Sequence, residues 1–366
     1  MHPLLRKLLG FNWLLLALML ALMSYGVYAI YSATWMRTEV FFHDQVKWVF
    51  ICLPVFFLVS LIDYRWVRVG ALPLYILGLA GVAATRVLSH TVNGAKGWLD
   101  LGVFNFQPSQ LALLAGILTM SLFLSQFRKL HPFLRLAGCG VIAGAPWLLI
   151  LLQNDLGSAL VWIPVVLGVL FVAGIPKRYL ISLLLLGAAV IPLVINFGLK
   201  PYQKNRILTF LDPSLDPQGA GWDLNQCLVA IGSGGFYGKG FKAPNTLNEL
   251  GYLNPTAAHN DYIFAVLGEQ HGFVGAVALL SVIGLVFLTA LYVVTLAGDD
   301  LGRYIGVGVV MMLFAHTFEN VGMTIQVMPI TGIPLPLISY GGTFLLITMI
   351  GFGLLQSVWI HRRTAG

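Results

Sequence analysis

Charge is scarce in this sequence: 14 acidic and 21 basic residues make up only 10% of 366 positions. Hydrophobic residues supply 58%, and the mean hydropathy of +0.86 lies far outside the range of soluble domains. Cysteine is also scarce. Cys52, Cys139 and Cys227 show no paired or metal-type spacing, which argues against a disulfide framework or a zinc site. The strict alternation of apolar and polar residues that marks an outer-membrane barrel is missing too. What remains is an integral membrane protein built of helices, a single polytopic domain over residues 1–366.

Apolar runs of roughly 17 to 25 residues, long enough to cross a hydrocarbon core of about 30 Å, recur along the chain. About ten spans are expected, at 11–32, 46–62, 68–89, 108–125, 136–153, 157–174, 178–196, 265–296, 303–326 and 341–360. The first run has no small-residue cleavage site and reads as a span rather than a signal peptide. Basic residues set the orientation. With the N-terminus inside, the inner face receives twelve of the 21, among them Arg65, Arg128, Arg135, Arg303 and Arg362. Five others fall in one long segment, about 197–262, where the rule has little force, and four lie elsewhere on the outer side. Both termini are therefore expected in the cytoplasm and the long loop outside. The formal net charge of +7 then reflects orientation and anionic lipid, with no indication of nucleic acid.

Loops in helical bundles are short, so a long outer segment needs a reason. It is rich in glycine and aromatics and too apolar to be disordered, and short amphipathic helices are expected on the membrane face after Asp212 and after Asp223. Three other outer segments carry similar chemistry: residues 93–108 with Lys96, Trp98 and Asp100; QNDLGS with Asp155; and residues 328–342, whose Pro- and Gly-rich apolar sequence includes Ser339 and Tyr340 and reads as re-entrant. All four segments are able to converge on one pocket.

Ordinary structural roles exist for each. Asp261, in AHNDYIF, suits an N-cap or first-turn acid of the following helix. Lys96 and Trp98 suit interface anchors, His259 a hydrogen-bonded interfacial histidine, the glycines at 232–240 plain turns, and Glu269 a partner for His271 or a backbone group. Glu319 stands apart, placed by the sequence in the middle of the ninth span. Insertion there costs about 2.5–3.5 kcal/mol for Asp and basic residues, so a lone Glu should be protonated, paired with His316 one turn away, or facing water.

Six stretches carry a resemblance: GAKGWLDLGVFNFQPS (94–109), QNDLGSAL (153–160), YQKNRILTFLDPSLDPQGAGW (202–222), AIGSGGFYGKGF (230–241), HNDYIFAVLGEQHGFVGA (259–276) and NVGMTIQVMPITGIPLPLISYGGT (320–343). In order and spacing they resemble the SEDS family (shape, elongation, division, sporulation), and the WLDLG form is more similar to the RodA-type rod-shape branch than to the FtsW-type division branch. The resemblance implies a ten-helix enzyme of the bacterial inner membrane that polymerises lipid II into peptidoglycan strands on the extracytoplasmic face. It further implies a class B penicillin-binding protein and elongation-complex membrane proteins as partners, alongside lipid II and membrane lipids. It makes Asp261 the essential catalytic residue and allows a divalent cation, Mg²⁺ or Mn²⁺, whose ligands the sequence does not identify.

The chemistry is coherent with the residues. Forming a β-1,4 bond needs a general base for the acceptor hydroxyl, for which one carboxylate suffices, and positive charge for the departing diphosphate. A helix N-terminus at Asp261 would keep it ionised at some cost in basicity. Arg206 is the first choice for bidentate diphosphate contact, with Lys96, Lys204, Lys239 and Lys242 also external; Trp98, Asp155, Gln203, His259, Ser339 and Tyr340 complete the expected substrate surface. Two departures from the family stand out. Gln110 and Leu113 replace its Glu and Lys, and Glu319 stands where relatives carry an apolar residue, as if to supply the carboxylate from another helix. Competing functions are a flippase for lipid-linked precursors, which would need polar groups through the full depth of the bundle, and a non-catalytic scaffold for a transpeptidase.

Overall fold

The computed structural model describes residues 7–89, 97–100, 102, 104–193 and 201–362. Twelve α-helices make up nearly all of it: α1 Trp13–Thr34, α2 Val40–Leu61, α3 Val67–Leu88, α4 Pro108–Gln126, α5 Pro132–Leu152, α6 Leu156–Val172, α7 Lys177–Leu193, α8 Pro201–Leu211, α9 Ala220–Ser233, α10 Ile263–Thr295, α11 Asp300–Thr324 and α12 Gly342–His361. Ten coincide with the expected spans to within a few residues at most ends. Eight are long and apolar enough to cross a membrane, the third beginning with the short 3-10 turn Tyr64–Trp66. The other two, α6 and α7, have 17 residues each, close to 25 Å of helix.

Local signals explain the boundaries. Asn12 caps α1 by accepting from Leu15 N at 3.0 Å, Asp155 caps α6, and Asp299 caps α11 by accepting from Gly302 N at 2.8 Å. Pro54, Pro73, Pro146 and Pro164 lie inside helices, as transmembrane helices tolerate. Glycines set the closest approaches. A Cβ at Gly26 of α1 would stand 2.1 Å from Leu337 O, so only glycine admits residues 337–338 against that helix.

Helix α11 is the central post, packed against α4, α6, α10 and α12, and it is largely buried, as are α4 and α12, whereas α2, α3 and α5 face mostly outward. At one end of the bundle the basic residues meet acids: Arg65 Nε donates to Asp299 at 3.1 Å and Arg128 Nη1 to Asp300 at 2.8 Å. Tyr64 OH also reaches Asp299, at 2.8 Å. The opposite end gathers the last turn of α11, the starts of α4, α6, α10 and α12, and helices α8 and α9.

That second end differs from expectation in detail. The segment after Asp212 is a 3-10 turn, Pro213–Leu215, capped by Asp212 through Ser214 N. The next helix starts ahead of Asp223, leaving this residue in its first turn; Asp223 instead accepts from Tyr262 OH at 3.2 Å. A further helix, α8, precedes both. Residues 99–106 contain a two-stranded hairpin, Leu99 opposite Phe106 and Asp100 opposite Asn105, too short for any periodicity to reveal. The three cysteines are free and buried.

Candidate active site

Asp261 ends a turn immediately before α10. The helix takes Tyr262 as its N-cap, without a side-chain capping bond, so Asp261 is not the helix cap its position suggests. Its backbone is fixed from α11: Asn320 Nδ2 donates to Asp261 O at 2.9 Å and to Ile333 O at 2.7 Å. Gly332, at φ 71°, lies against the carboxylate, where a Cβ would come 3.5 Å from Oδ2. A side chain there would strain the backbone, while its Cβ would make only an ordinary contact with the carboxylate.

Two other charged groups act on Asp261. Burial raises its pKa from the usual carboxylate range to about 6, the Arg206 guanidinium opposing the rise and Asp155 adding to it. The shift is upward rather than the lowering expected at a helix N-terminus, and desolvation is its largest cause. Asp155 Oδ1 accepts from Ser158 N at 3.0 Å and Oδ2 from Ser158 Oγ at 2.6 Å. Burial raises the Asp155 pKa as well, with Ser158, Arg206 and Gln107 each pulling it back. One carboxylate is thus anchored by donors and the other is left to accept a proton.

Arg206 reaches this pair from α8. Its Nη1 donates to Ile330 O at 3.5 Å, and no acid among the described residues forms an ion pair with it within 4 Å, so most of its donors remain available to an anion. Residues 330–333 form the floor shared by all of these groups. Ile330 O takes Arg206, Ile333 O takes Asn320, and Thr331 O sits 2.7 Å from where Gly157, beside Asp155, would carry a Cβ.

Other expected residues are placed variously. His259 is buried and stacked on Phe41 with ring centroids 4.0 Å apart; burial first, and Arg37 second, lower its pKa to about 4, keeping the ring neutral. Its Nδ1 finds no partner among the described residues, while the ring hydrogen-bonds the Pro255 backbone, as the sequence allowed. Tyr340 N donates to His259 O at 3.0 Å, and Ser339 Oγ to Asn260 O at 2.5 Å, so both brace the Asp261 turn from behind. Trp98, half-buried, immediately precedes the hairpin, whose neighbouring Gly97 approaches Asp155: a Cβ there would lie 3.8 Å from Oδ2. Lys96 and the Gln203 side chain lie outside the described residues.

Three residues depart from their expected surroundings. Lys239, itself partly exposed, ion-pairs with the buried Glu269, Nζ to Oε1 at 2.6 Å, so Glu269 pairs with Lys239 rather than with His271, and it also accepts from a backbone group, Leu247 N, as the sequence allowed. Lys242 donates to Tyr31 OH at 2.8 Å, its ammonium 4.4 Å from the centre of that ring and 4.7 Å from that of Trp35. Glu319 sits five residues from the end of α11, not midway, and its carboxyl interacts with Thr331 and feels Asp155. His316 instead uses Nδ1 on Met312 O, at 2.8 Å. Gln110 is buried on α4 with Oε1 unpartnered among the described residues, and Leu113 is buried beside it. Sequence reasoning passed over Ser158 and Asn320, although an Asp followed three residues later by a serine at a helix start is a legible capping signal.

Mg²⁺ is commonly held by one or two carboxylates completed by substrate phosphates. Asp155 and Asp261 offer that many, and among the described residues no set of three His, Cys, Asp or Glu side chains is arranged to hold a metal ion. A two-carboxylate site of this kind would rely on the substrate for its remaining ligands.

Comparison with known proteins places this geometry. The chain is 35% identical over 350 residues to the peptidoglycan glycosyltransferase MrdB of Escherichia coli K12, covering 95% of this chain and 93% of that protein. A solved structure concerned with polymerization and crosslinking by a peptidoglycan synthase complex matches with a TM-score of 0.83 at 31% identity, covering 96% of this chain and 98% of the other. The rod shape determining protein RodA of Thermus thermophilus matches with a TM-score of 0.72 at 28% identity, with the same coverages. The family model for FtsW, RodA and SpoVE cell cycle proteins matches residues 6–364, and the chain belongs to that family.

Proposed function

We propose that this protein is a peptidoglycan glycosyltransferase that polymerises lipid II into β-1,4 glycan strands during cell-wall elongation and shape maintenance. The observation that carries the reading is the half-buried Asp261 carboxylate, which accepts no hydrogen bond from any side chain or amide among the described residues and is set beside Arg206, in a chain of this family. Asp261 takes the proton from the acceptor 4-hydroxyl as that oxygen attacks the donor anomeric carbon. The α-linked diphosphate leaves from the opposite side, which inverts the centre to β. A base whose pKa lies near 6 is well matched to this transfer at neutral pH, worth about 10² to 10⁴ in rate.

Arg206 neutralises the diphosphate, and Asp155, anchored on Ser158, orients the sugar or a cation. Mg²⁺ or Mn²⁺ held between Asp155 and Asp261 would add positive charge at the leaving group. Trp98 and Gln203 extend the surface for the substrate, and Lys96 is a second cation for it. His259, Ser339 and Tyr340 hold the turn that carries the base. The arginines gathered at the far end of the bundle support a cytoplasmic placement for that end and for both termini, and hence an extracytoplasmic site in the inner membrane. A class B penicillin-binding protein would supply transpeptidation, with other elongation-complex membrane proteins in the same assembly.

The test compares wild type with Asp261→Asn, each with its cognate transpeptidase, for conversion of labelled lipid II into long strands on a gel. Polymer from the wild type alone supports Asp261 as base. Polymer from both moves the role to Asp155 or Glu319, and polymer from neither removes the enzymatic reading.

A further inference from the structure

The end of the bundle away from the carboxylates holds a cavity that the proposed chemistry does not use. It has a volume of about 440 Å³ and lies between α3, α4 and α11, lined by Arg68, Ser125, Gln126, Asp299, Asp300 and Leu301. That size falls within the range of roughly 300–1,000 Å³ common to small-molecule sites. Arg68 and Gln126 are exposed, whereas Leu301 is buried.

The charges around the cavity do not cancel. Asp299 Oδ1 accepts from Tyr64 OH and from Gly302 N, each at 2.8 Å, and its Oδ2 accepts from Arg65 Nε at 3.1 Å. Asp300 pairs with Arg128 at 2.8 Å and with Arg303 at 3.4 Å, and Asp63 pairs with Arg65 at 3.3 Å. Both acids of the lining are therefore already occupied. Four arginines meet three aspartates, and the arginine with no acid within 4 Å among the described residues is Arg68, which lines the cavity. One positive charge is left over. The Arg128 side chain is 72% exposed, and an ion pair so open to water is weak, so part of its planar fork is open to a second anion.

The surroundings choose between a soluble anion and one carried by a lipid. Leu72 and Ile76 stand one and two turns beyond Arg68 on the same side of α3, and each is 57% exposed. On a helix apolar enough to cross a membrane, that strip faces acyl chains, and it runs about 12 Å from Arg68 at 1.5 Å per residue. Trp66, 68% exposed, precedes it, as tryptophans do at the level of the headgroups.

We infer that this cavity is a binding site for an anionic phospholipid: the phosphodiester, with its single negative charge, seats on Arg68 with Arg128 beside it, and an acyl chain lies along Leu72 and Ile76. Basic pockets between membrane helices hold phosphate headgroups in the same way. A zwitterionic headgroup suits the cavity less, because its ammonium finds both lining carboxylates already taken by arginines. Placement in the inner leaflet rests on the proposed orientation of the chain; the binding itself depends neither on that nor on the polymerase reading. A bound headgroup bridges the starts of α3 and α11 and the end of α4, and so stabilises the folded protein.

The test titrates the full-length protein in detergent with dioctanoyl phosphatidylglycerol, dioctanoyl phosphatidylcholine or inorganic phosphate. It reads the thermal midpoint and, by native mass spectrometry, the lipid retained. Phosphatidylglycerol should raise the wild-type midpoint, and phosphatidylcholine should not. Arg68→Gln strands no acid, so it should fold as wild type does yet need about fivefold more phosphatidylglycerol for the same rise, the effect of one basic residue near a lipid surface. Arg178→Gln, on α7, which does not line the cavity, should titrate like wild type.

Equal titration of wild type and Arg68→Gln, or an equal rise with phosphatidylcholine, overturns the inference. A rise with inorganic phosphate that Arg68→Gln abolishes, with none from the lipid, makes this a site for a soluble anion and overturns it too. Gln126→Glu places a negative charge in the lining and keeps every arginine. It should lose the response to phosphatidylglycerol, and it carries the comparison if Arg68→Gln does not fold; an undiminished response would overturn the inference.

Discussion

Replacing Lys239 with Met should destabilise the protein strongly, and replacing Glu269 with Gln as well should restore most of the loss. Glu269 is fully buried, and its Oε1 accepts from Lys239 Nζ at 2.6 Å, Leu247 N at 2.8 Å and Ser233 Oγ at 3.3 Å. The backbone repeats the linkage, with Lys239 N donating to Glu269 O at 3.0 Å and Gly240 N to Gln270 O at 2.9 Å. These bonds sit where α10 breaks at Gly272, φ 63° and ψ −162°, so the glycine loop supplies partners that the kinked helix cannot. Removing one partner of a buried pair typically costs about 3–5 kcal/mol. The Lys239 side chain is 28% exposed, which favours the low end, about 3 kcal/mol. The double variant buries no unpaired charge and should return to within about 1 kcal/mol of wild type. Thermal unfolding in detergent of wild type, both singles and the double gives the order, and KM for lipid II gives the function. A double variant as unstable as Lys239→Met would refute the ion-pair reasoning. A KM raised equally in Lys239→Met and in the double would show that Lys239 binds the diphosphate after all.

Asp261 at a pKa near 6 predicts that kcat/KM falls about tenfold per pH unit below pH 6, as the base becomes protonated; Arg206→Gln removes the charge that opposes the rise, so its acid limb moves to higher pH. A limb near pH 4 would contradict the burial reasoning. Because burial disfavours the charged form, Asp261→Asn should raise the thermal midpoint at pH 8 while abolishing polymer, and no gain at pH 8 relative to pH 5 would refute this. Gly26→Ala drives a methyl against Leu337 O at 2.1 Å and should unfold or misassemble the bundle, whereas Gly70→Ala, with nothing within 4 Å, should leave the midpoint unchanged or raised. Chelator treatment followed by Mg²⁺ or Mn²⁺ should abolish and then restore polymerisation; full activity after exhaustive chelation would remove the cation from the site.

The spans were legible because a bilayer imposes a single strong rule, a long apolar helix, and most ends between Trp13 and His361 follow it to within a few residues. Side-chain partnerships were not. Lys239 and Glu269 are thirty residues apart, and each also has a plausible local role, so nothing in the sequence joins them. Asp261 looks like a cap because caps are defined by position, while the turn actually leaves that place to Tyr262. Glu319 announced itself as costly, but its partner Thr331 follows a sharp change of chain direction that helix periodicity cannot represent. Asp155 and Ser158 form the local case, one turn of one helix, and there a capping pattern does carry the contact.

The depth of the polar groups separates chemistry from transport. Asp155, Asp261, Glu319 and Arg206 all lie at one end, while the core beneath them closes with small residues under large ones. A Cβ at Gly116 would stand 2.3 Å from the Trp162 ring, one at Gly308 2.4 Å from Ile117 and one at Gly168 2.4 Å from Met311. Trp162 is about 10 Å below Asp155 along α6, and Gly308 about 16 Å below Glu319 along α11, so the plug fills the central depth of α4, α6 and α11. A headgroup passing down this line would have to part these apolar contacts, with no more than scattered buried side chains such as Gln110, His316 and Thr317 on the way, whereas a lipid-linked sugar resting at the end would meet the proposed base, cation-compatible carboxylates and arginine at once. A pure scaffold gains nothing from that arrangement. Crowding two acids, Asp155 and Asp261, around one guanidinium costs stability, and proteins keep such costs where reactivity requires them.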